Sequence, residues 1–274
     1  MASEGKTYTI SEVSELTGVN PVTLRAWQRR YGLVKPGRSE KGHRLYSDAD
    51  LAVVQKVVNW LDKGVSIGKV KPLLSGDLTE PEPSKTLAEY TEITAALGAF
   101  RRAKVEQIVA RCLKEYPWRT VKTKLVEPVE NYLSSEGLTL ADIQTALWRS
   151  VMVERVVQIV VLKKQQAKRR AVVCSTDDQT SYFLWLLALD VSSDGFGVEV
   201  LDGPIEKLNV LGGLLAERRI EQLVVSGDKK LTTNQINELI ELGNQEVPVL
   251  KVTGDIVRIH RHELERFSER GGSL

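Results

Sequence analysis

The chain is 274 residues long, with 42% hydrophobic and 27% charged residues, a composition typical of a globular protein with about two or three domains. It contains no stretch of about 18 apolar residues and its N-terminal residues are polar, which argues against a membrane span and a signal peptide. Its two cysteines lie far apart, which excludes a disulfide-stabilised scaffold, so we expect a cytoplasmic protein with no membrane partner.

The net charge of +2 is unevenly distributed along the chain. Residues 1–76 hold 12 Lys and Arg against 7 Asp and Glu, a net charge of +5, and the remaining residues hold 26 against 29, a net charge of −3. A basic N-terminal end on an acidic body indicates that a polyanion such as DNA would bind at that end.

The N-terminal elements predict a helix-turn-helix. Apolar residues three apart over 9–17 predict a short helix, and Asn20 followed by Pro21 suits the start of a second helix over 22–30. A glycine-containing turn between two such helices is typical of this motif. Glycines and prolines between residues 32 and 46 predict a loop or a two-stranded wing.

The rest of the chain predicts three further parts. Two helices at 51–63 and 65–74 would complete the N-terminal domain, and the polar, proline-containing stretch that follows is typical of a linker. Four helical patterns then predict a four-helix bundle, and from Ala171 short β-branched strands alternate with helices, which predicts a doubly wound parallel α/β domain of the flavodoxin-like type. The predicted divisions are a DNA-binding domain at 1–75, a linker at 76–84, a bundle at 85–168 and an α/β domain at 169–274.

Two segments carry a resemblance to a known family. The segments NPVTLRAWQRRYGL (20–33) and GHRLY (42–46) resemble the MerR family of transcription regulators, and within it the MlrA/BluR/CarH-like branch. Six residues separate Arg25 from Gly32, one more than metal-sensing members usually have. The resemblance covers residues 8–75 strongly and the rest more weakly. It implies a winged helix-turn-helix that binds an inverted-repeat operator as a homodimer and acts with RNA polymerase at the promoter.

The DNA-contacting residues follow from this resemblance together with the chemistry of the side chains. Thr23 of the second helix would lie near base edges, and Arg25 would reach a guanine or a phosphate. Arg29 and Arg30 would meet phosphates or acidic neighbours. For Tyr46, packing in the core and contact with a phosphate both stay open. The complete predicted set is Thr23, Arg25, Arg29, Arg30, Arg38, His43, Arg44, Tyr46 and Lys69.

The C-terminal half resembles the cobalamin-binding module of the same branch. The resemblance implies a Glu-His pair in the bundle and, after the first strand, an Asp/Glu-x-His-x-x-Gly motif whose His binds cobalt. The corresponding positions here are Ile143, Gln144, Thr180 and Phe183, and no His occurs between His43 and His260. We therefore expect no cobalamin, no other cofactor and no metal.

Several alternatives concern what controls the protein. By resemblance, a partner protein such as an antirepressor would act on the C-terminal module, in a biofilm, curli or stress circuit. The alternative is a regulator gated by a small molecule other than cobalamin. An enzyme tethered to DNA is a remote alternative, because no catalytic group accompanies Cys174. Aspartates at the strand ends are expected to cap helices, although a cation or a basic surface is a second interpretation. His260 and His262 are expected to be solvated.

Overall fold

The computed structural model describes residues 6–79, 81–135, 137, 139–178, 181–246 and 248–268. The chain forms two compact units, Met1–Val151 and Met152–Leu274, which divide within a long helix. Among the described residues, no helix has the length and apolar character needed to cross a membrane.

The first unit begins with helices around a small antiparallel sheet. Its elements are β1 (Thr7–Thr9), α1 (Ile10–Thr17), α2 (Pro21–Ala26), a π-helical turn (Trp27–Tyr31), β2 (Gly37–Arg38), β3 (Arg44–Ser47), α3 (Asp48–Asp62) and α4 (Ile67–Ser75). The strand order is β1-β3-β2, with Tyr8 paired with Tyr46. The sequence analysis did not predict β1, because three residues are too few to show a strand periodicity.

The core of this N-terminal part joins helices and sheet. Leu24 and Trp27 of the second helix, Tyr46 of β3 and Leu61 of α3 are all fully buried. Ser47 caps α3, and its hydroxyl accepts a hydrogen bond from the backbone of Asp50 at 3.2 Å. The strand β3 therefore leads directly into a capped helix, which fixes the hairpin relative to the helical core.

Helices fill the remainder of the first unit, and the last of them continues into the second unit. They are α5 (Glu89–Gly98), α6 (Arg102–Glu115), α7 (Trp118–Val121), α8 (Glu127–Leu133) and α9 (Ala141–Gln166), with a π-helical turn at Lys122–Val126 between α7 and α8. α5 contacts α6 and α8, and α6 contacts α7. The buried Trp148 of α9 donates its indole N–H to Glu130 of α8 at 2.7 Å. The four predicted helical regions thus correspond to helices, although the first begins four residues later than predicted, at Glu89.

The second unit is a parallel α/β layer structure, as predicted. Its elements after α9 are β4 (Arg169–Ser175), α10 (Ser181–Ser193), β5 (Phe196–Pro204), α11 (Asn209–Glu217), β6 (Gln222–Ser226), α12 (Thr233–Gly243), β7 (Val249–Thr253), α13 (Asp255–Ile259), α14 (Arg261–Leu264) and a 3-10 turn at Glu265–Phe267. The four strands are parallel in the order β5-β4-β6-β7. The order reverses at β4, so right-handed crossovers place α10 on one face and α11 and α12 on the other.

The last helical region differs from the sequence prediction at His260. The sequence pattern predicts one helix over 255–267, but the backbone leaves helical geometry at His260, which has φ −114° and ψ 46°. The His260 ring is buried, and its Nε2 accepts a hydrogen bond from the Leu231 backbone at 2.9 Å. The expectation that His260 is solvated is therefore wrong. The hydrogen bond satisfies a buried backbone donor next to the start of α12.

Candidate nucleic-acid interface

Local capping positions the two helices of the helix-turn-helix. The Thr9 hydroxyl accepts from the Glu12 backbone and the Glu12 carboxylate accepts from the Thr9 backbone, a capping box that starts α1. The Asn20 side chain accepts a hydrogen bond from the Val22 backbone at 2.8 Å, and Pro21 occupies the first position of α2. The second helix therefore begins where the sequence predicts, with its first turn set by these two residues.

The second helix ends in a wider π-helical turn, Trp27–Tyr31. The buried Trp27 anchors this turn to the core, and Gly32 ends it by donating its backbone N–H to the Trp27 carbonyl. Single π-helical turns often mark functional positions in helices. Here the turn contains Arg29 and Arg30 of the predicted DNA-contacting set.

Most of the predicted basic residues lie at the surface of this N-terminal part. Arg29 is exposed and Arg25 is half-buried, and the Arg29 Nε donates to the Arg25 carbonyl at 3.4 Å. The remaining exposed members of the predicted set are Arg30, Arg38, His43 and Lys69. A helix and a hairpin thus present basic groups from one compact core, which suits contact with the phosphates of duplex DNA.

The strands β2 and β3 pair as an antiparallel hairpin in the region where a loop or a two-stranded wing is predicted. The Ser39 backbone donates to the His43 carbonyl at 2.8 Å, and the Arg38 guanidinium donates to the Gly42 carbonyl at 3.2 Å. The half-buried Arg44 donates from Nε to the Gln28 side chain at 2.7 Å. Sequence analysis missed Gln28, which ties the wing to the second helix and orients the Arg44 guanidinium. The signal available for it was its position three residues after Arg25 on the same helix.

Two members of the predicted set are buried. Thr23 is 1% exposed and Tyr46 is 0% exposed, so neither side chain contacts DNA directly in this conformation. Burial raises the pKa of the Tyr46 phenol, and its hydroxyl has no hydrogen-bond partner among the described residues. Both residues belong to the core that supports the interface, and we leave them out of the proposed contacts.

Arg30 is held by an acidic residue of the helical region. Its guanidinium forms an ion pair with the Glu115 carboxylate at the end of α6, and the Tyr31 hydroxyl donates to the other carboxylate oxygen at 2.8 Å. Burial, followed by this hydrogen bond to Glu115, raises the pKa of Tyr31 to about 12. The structure therefore supports the acidic-neighbour alternative for Arg30.

An apolar residue on the second helix was also missed. Val22, in the first turn of α2, is 48% exposed although Thr23 and Leu24, which follow it, are buried. In the major groove, small apolar side chains contact the methyl group of thymine. The valine is therefore a candidate for base readout beside Arg25. Its type alone gave no signal, since an apolar residue in a helix is more often part of the core.

Three of the positions that correspond to the cobalamin motif lie within the described residues. Ile143 is exposed, while Gln144 is buried and its side-chain oxygen has no hydrogen-bond partner among the described residues. Phe183 packs edge-on against Tyr182, with ring centroids 5.1 Å apart, so a bulky ring stands where the motif has glycine. Thr180 lies outside the described residues. Within the described part of the chain, no group of three His, Cys, Asp or Glu residues could hold a metal ion.

Aspartates at the strand ends serve the loops of the second unit. The buried Asp177 accepts hydrogen bonds from the backbone of Asp228 at 2.6 Å and of Lys229 at 2.9 Å. Asp228 in turn accepts from the Asp255 backbone at 3.2 Å, at the start of α13. The Asp228 contact serves the start of α13, whereas the helix that follows Asp228 in the chain, α12, is capped by Thr232. The expectation that each aspartate caps its following helix is therefore wrong for Asp228. The same loops border an open, polar cleft of about 580 Å³, whose lining includes Asp178, Lys207, Lys229 and Glu238.

Comparison with known proteins gives consistent matches. Residues 8–77 match the family described as MerR HTH family regulatory protein. The chain is 33% identical over 228 residues to the HTH-type transcriptional regulator MlrA of Escherichia coli (strain K12), which covers 83% of this chain and 91% of that protein. The HTH-type transcriptional repressor CarH of Myxococcus xanthus is 42% identical over 69 residues, or 25% of this chain and 23% of that protein. The likeness to MlrA thus extends far beyond the DNA-binding segment, whereas that to CarH is confined to a quarter of the chain.

A solved structure described as a novel cobalamin-binding protein from Desulfitobacterium hafniense DCB-2 also matches. It covers 74% of this chain and 86% of that chain, with 11% sequence identity and a TM-score of 0.29. A likeness of this size carries no argument about fold or ligand.

Proposed function

Since this chain belongs to the MerR family of transcription regulators, we propose that it binds an inverted-repeat operator as a homodimer and regulates transcription in the cytoplasm with RNA polymerase as its partner at the promoter. The relatives that support the family are transcription regulators, which supports a DNA-binding regulator over an enzyme. The observation that carries the proposal is the set of basic side chains that the second helix and the wing present from one buried core.

The proposed contacts divide by role. Val22 and Arg25 on α2 would meet base edges in the major groove, since recognition helices approach bases with their N-terminal residues. Phosphates would be met by the surrounding basic residues, which fix the register of the protein on the duplex. This second group comprises Arg29, Arg38, His43, Arg44 and Lys69.

Control of this activity is proposed to enter through the helical bundle and the α/β domain. A partner protein, such as an antirepressor, is the first candidate, because the positions of the cobalamin motif hold Ile143, Gln144 and Phe183. The cleft of about 580 Å³ at the strand ends favours the alternative of a small molecule other than cobalamin. Native mass spectrometry of the purified chain distinguishes them, since a co-purifying small ligand supports the alternative.

Selection of duplexes from a random pool tests the operator proposal. The full chain should enrich an inverted repeat and then bind it about 1000-fold more tightly than a shuffled duplex at physiological salt. Two protomers should bind each duplex, as determined by light scattering of the complex. A chain that enriches no sequence, or that binds all duplexes alike, would contradict the proposal.

A further inference from the structure

The π-helical turn of the second helix is attached to the end of α6 at a single residue. The Trp27 indole N–H donates to the Glu115 backbone carbonyl at 2.7 Å, and the Glu115 carboxylate accepts from Arg30 and from Tyr31 at 2.8 Å. These residues span one turn of helix, so three side chains of the DNA-reading helix converge on one acidic residue. Glu115 itself is 3% exposed.

A second set of contacts extends this attachment. The next residue, Tyr116, accepts a hydrogen bond from the Ile67 backbone at 3.4 Å and donates to the buried Glu89 at 3.2 Å. The Thr120 hydroxyl donates to Asp62 at 2.9 Å. Asp62 and Ile67 belong to α3 and α4 of the DNA-binding segment, whereas their partners Thr120 and Tyr116 belong to the helical region. The two parts are therefore joined at several residues and not at Glu115 alone.

The charge of Glu115 makes the contact with Arg30 necessary. A buried carboxylate without a cationic partner and hydrogen bonds is costly, whereas this one has both. Arg30 is 49% exposed and therefore still faces solvent on one side. Arg30 thus links the buried Glu115 to the exposed side of the turn, which also carries Arg29.

We propose that Glu115 is a positioning residue, which sets the direction of the recognition helix and passes movements of the helical region to it. This inference rests on the proposed function, because it assigns to Glu115 the orientation of the helix that would read the operator. Base readout needs that orientation, whereas binding to any duplex needs only the positive charge. A movement at the end of α6 would therefore change specificity before it changes overall affinity for DNA.

The test compares the full chain with Glu115→Gln, which keeps the volume and removes the charge. Affinities for the selected operator and for a shuffled duplex are measured by fluorescence anisotropy. The ratio of the two should fall about tenfold, as expected from the loss of charged hydrogen bonds, while binding to the shuffled duplex stays within about twofold. The matched control is Glu106→Gln on the same helix, where the carboxylate pairs at the surface with Arg102 at 2.8 Å and no change is expected.

Arg30→Met separates positioning from direct DNA contact. If Arg30 acts through Glu115, the variant lowers the ratio of operator affinity to shuffled-duplex affinity, and this effect does not add to that of Glu115→Gln. The salt dependence of operator binding is then unchanged. A fall of about one in the salt slope would place Arg30 on a phosphate and overturn the proposal.

Failure of this proposal is distinct from failure of the proposed function. An unchanged ratio in Glu115→Gln, with the wild type still selective, overturns only the positioning role. A wild type without selectivity overturns the operator proposal itself. If Glu115→Gln does not fold by circular dichroism, Tyr31→Phe removes one hydrogen bond only and carries the same test, with a smaller fall of about threefold expected.

Discussion

Arg44 shows how one side chain is prepared for a phosphate. Its Nε is occupied by Gln28 at 2.7 Å, which leaves the two Nη groups of the fork as donors. Because the side chain is already half-buried and oriented, little conformational entropy is lost when it meets a phosphate. Arg44 therefore contributes to affinity through position as well as charge.

Replacement of Arg44 tests this role. Arg44→Ala should weaken operator binding by about 1–3 kcal/mol, the range for a charge-assisted contact. Anisotropy titrations at fixed, moderate salt provide the measurement. The control is Arg258→Ala, a side chain 78% exposed in the second unit. Equal affinities for Arg44→Ala and the wild type would remove Arg44 from the interface.

For single residues, the sequence predicted the exposure of charged side chains better than the burial of polar ones. The exposure of Arg29, Arg38 and Lys69 follows from the cost of burying an unpaired charge. The charge of a residue can be read directly from the sequence. The burial of Tyr46 depends on its pairing with Tyr8, 38 residues earlier. Local periodicity contains no information about such a partner, so it could not choose between packing and phosphate contact.

Among the elements, the turn from β7 to α13 depends on close backbone packing. Gly254 has φ +87°, and a Cβ there would lie 2.4 Å from the Gly227 carbonyl oxygen. Only glycine accommodates both the left-handed backbone and this approach. The turn thereby holds the loop after β6, where Asp228 accepts from the Asp255 backbone.

Substitution at this turn has a predictable cost. Gly254→Ala should lower the free energy of unfolding by about 2 kcal/mol or more, because positive φ and steric overlap act together. Urea unfolding followed by circular dichroism measures the change. Gly213→Ala in α11 is the matched control, since a Cβ there meets no atom within 4 Å and should be neutral or stabilising. Equal losses in both variants would refute the role of Gly254.

Element types were predicted well where a long pattern repeats and poorly where a tertiary contact intervenes. The β-branched runs of β4 and β6 predict strands, and the structure shows the reason for these runs. A strand of a parallel sheet that is covered on both faces has apolar residues in succession. The break at His260 could not be predicted, since it depends on a hydrogen bond from Leu231, which is 29 residues away.

For the whole molecule, the main departure concerns the division of the chain. The polar composition of residues 76–84 predicts a linker, but the Ser84 backbone donates to the Lys63 carbonyl at 2.8 Å and its carbonyl accepts from Lys124 at 2.8 Å. The DNA-binding segment and the helices after it lie within one compact unit. The composition of residues 76–84 does not reveal this single unit, because the hydrogen bonds of Ser84 with Lys63 and Lys124 fix the end of the polar segment.

This arrangement gives the molecule a physical route from signal to DNA. A partner or ligand that moves the end of α6 would also move Glu115 and the turn at Trp27–Tyr31. The second unit would then need no contact with DNA to influence its recognition. Coupling of this kind requires only that the signal binds the two arrangements with different affinity.

A genome-wide map of the tagged full chain in its own cell tests the central claim, sequence-specific DNA binding, most directly. The account predicts discrete peaks at promoters that share one inverted repeat and that disappear when Arg25 and Arg44 are replaced by Ala. Uniform occupancy without a shared sequence, or peaks that persist in the double variant, would contradict it.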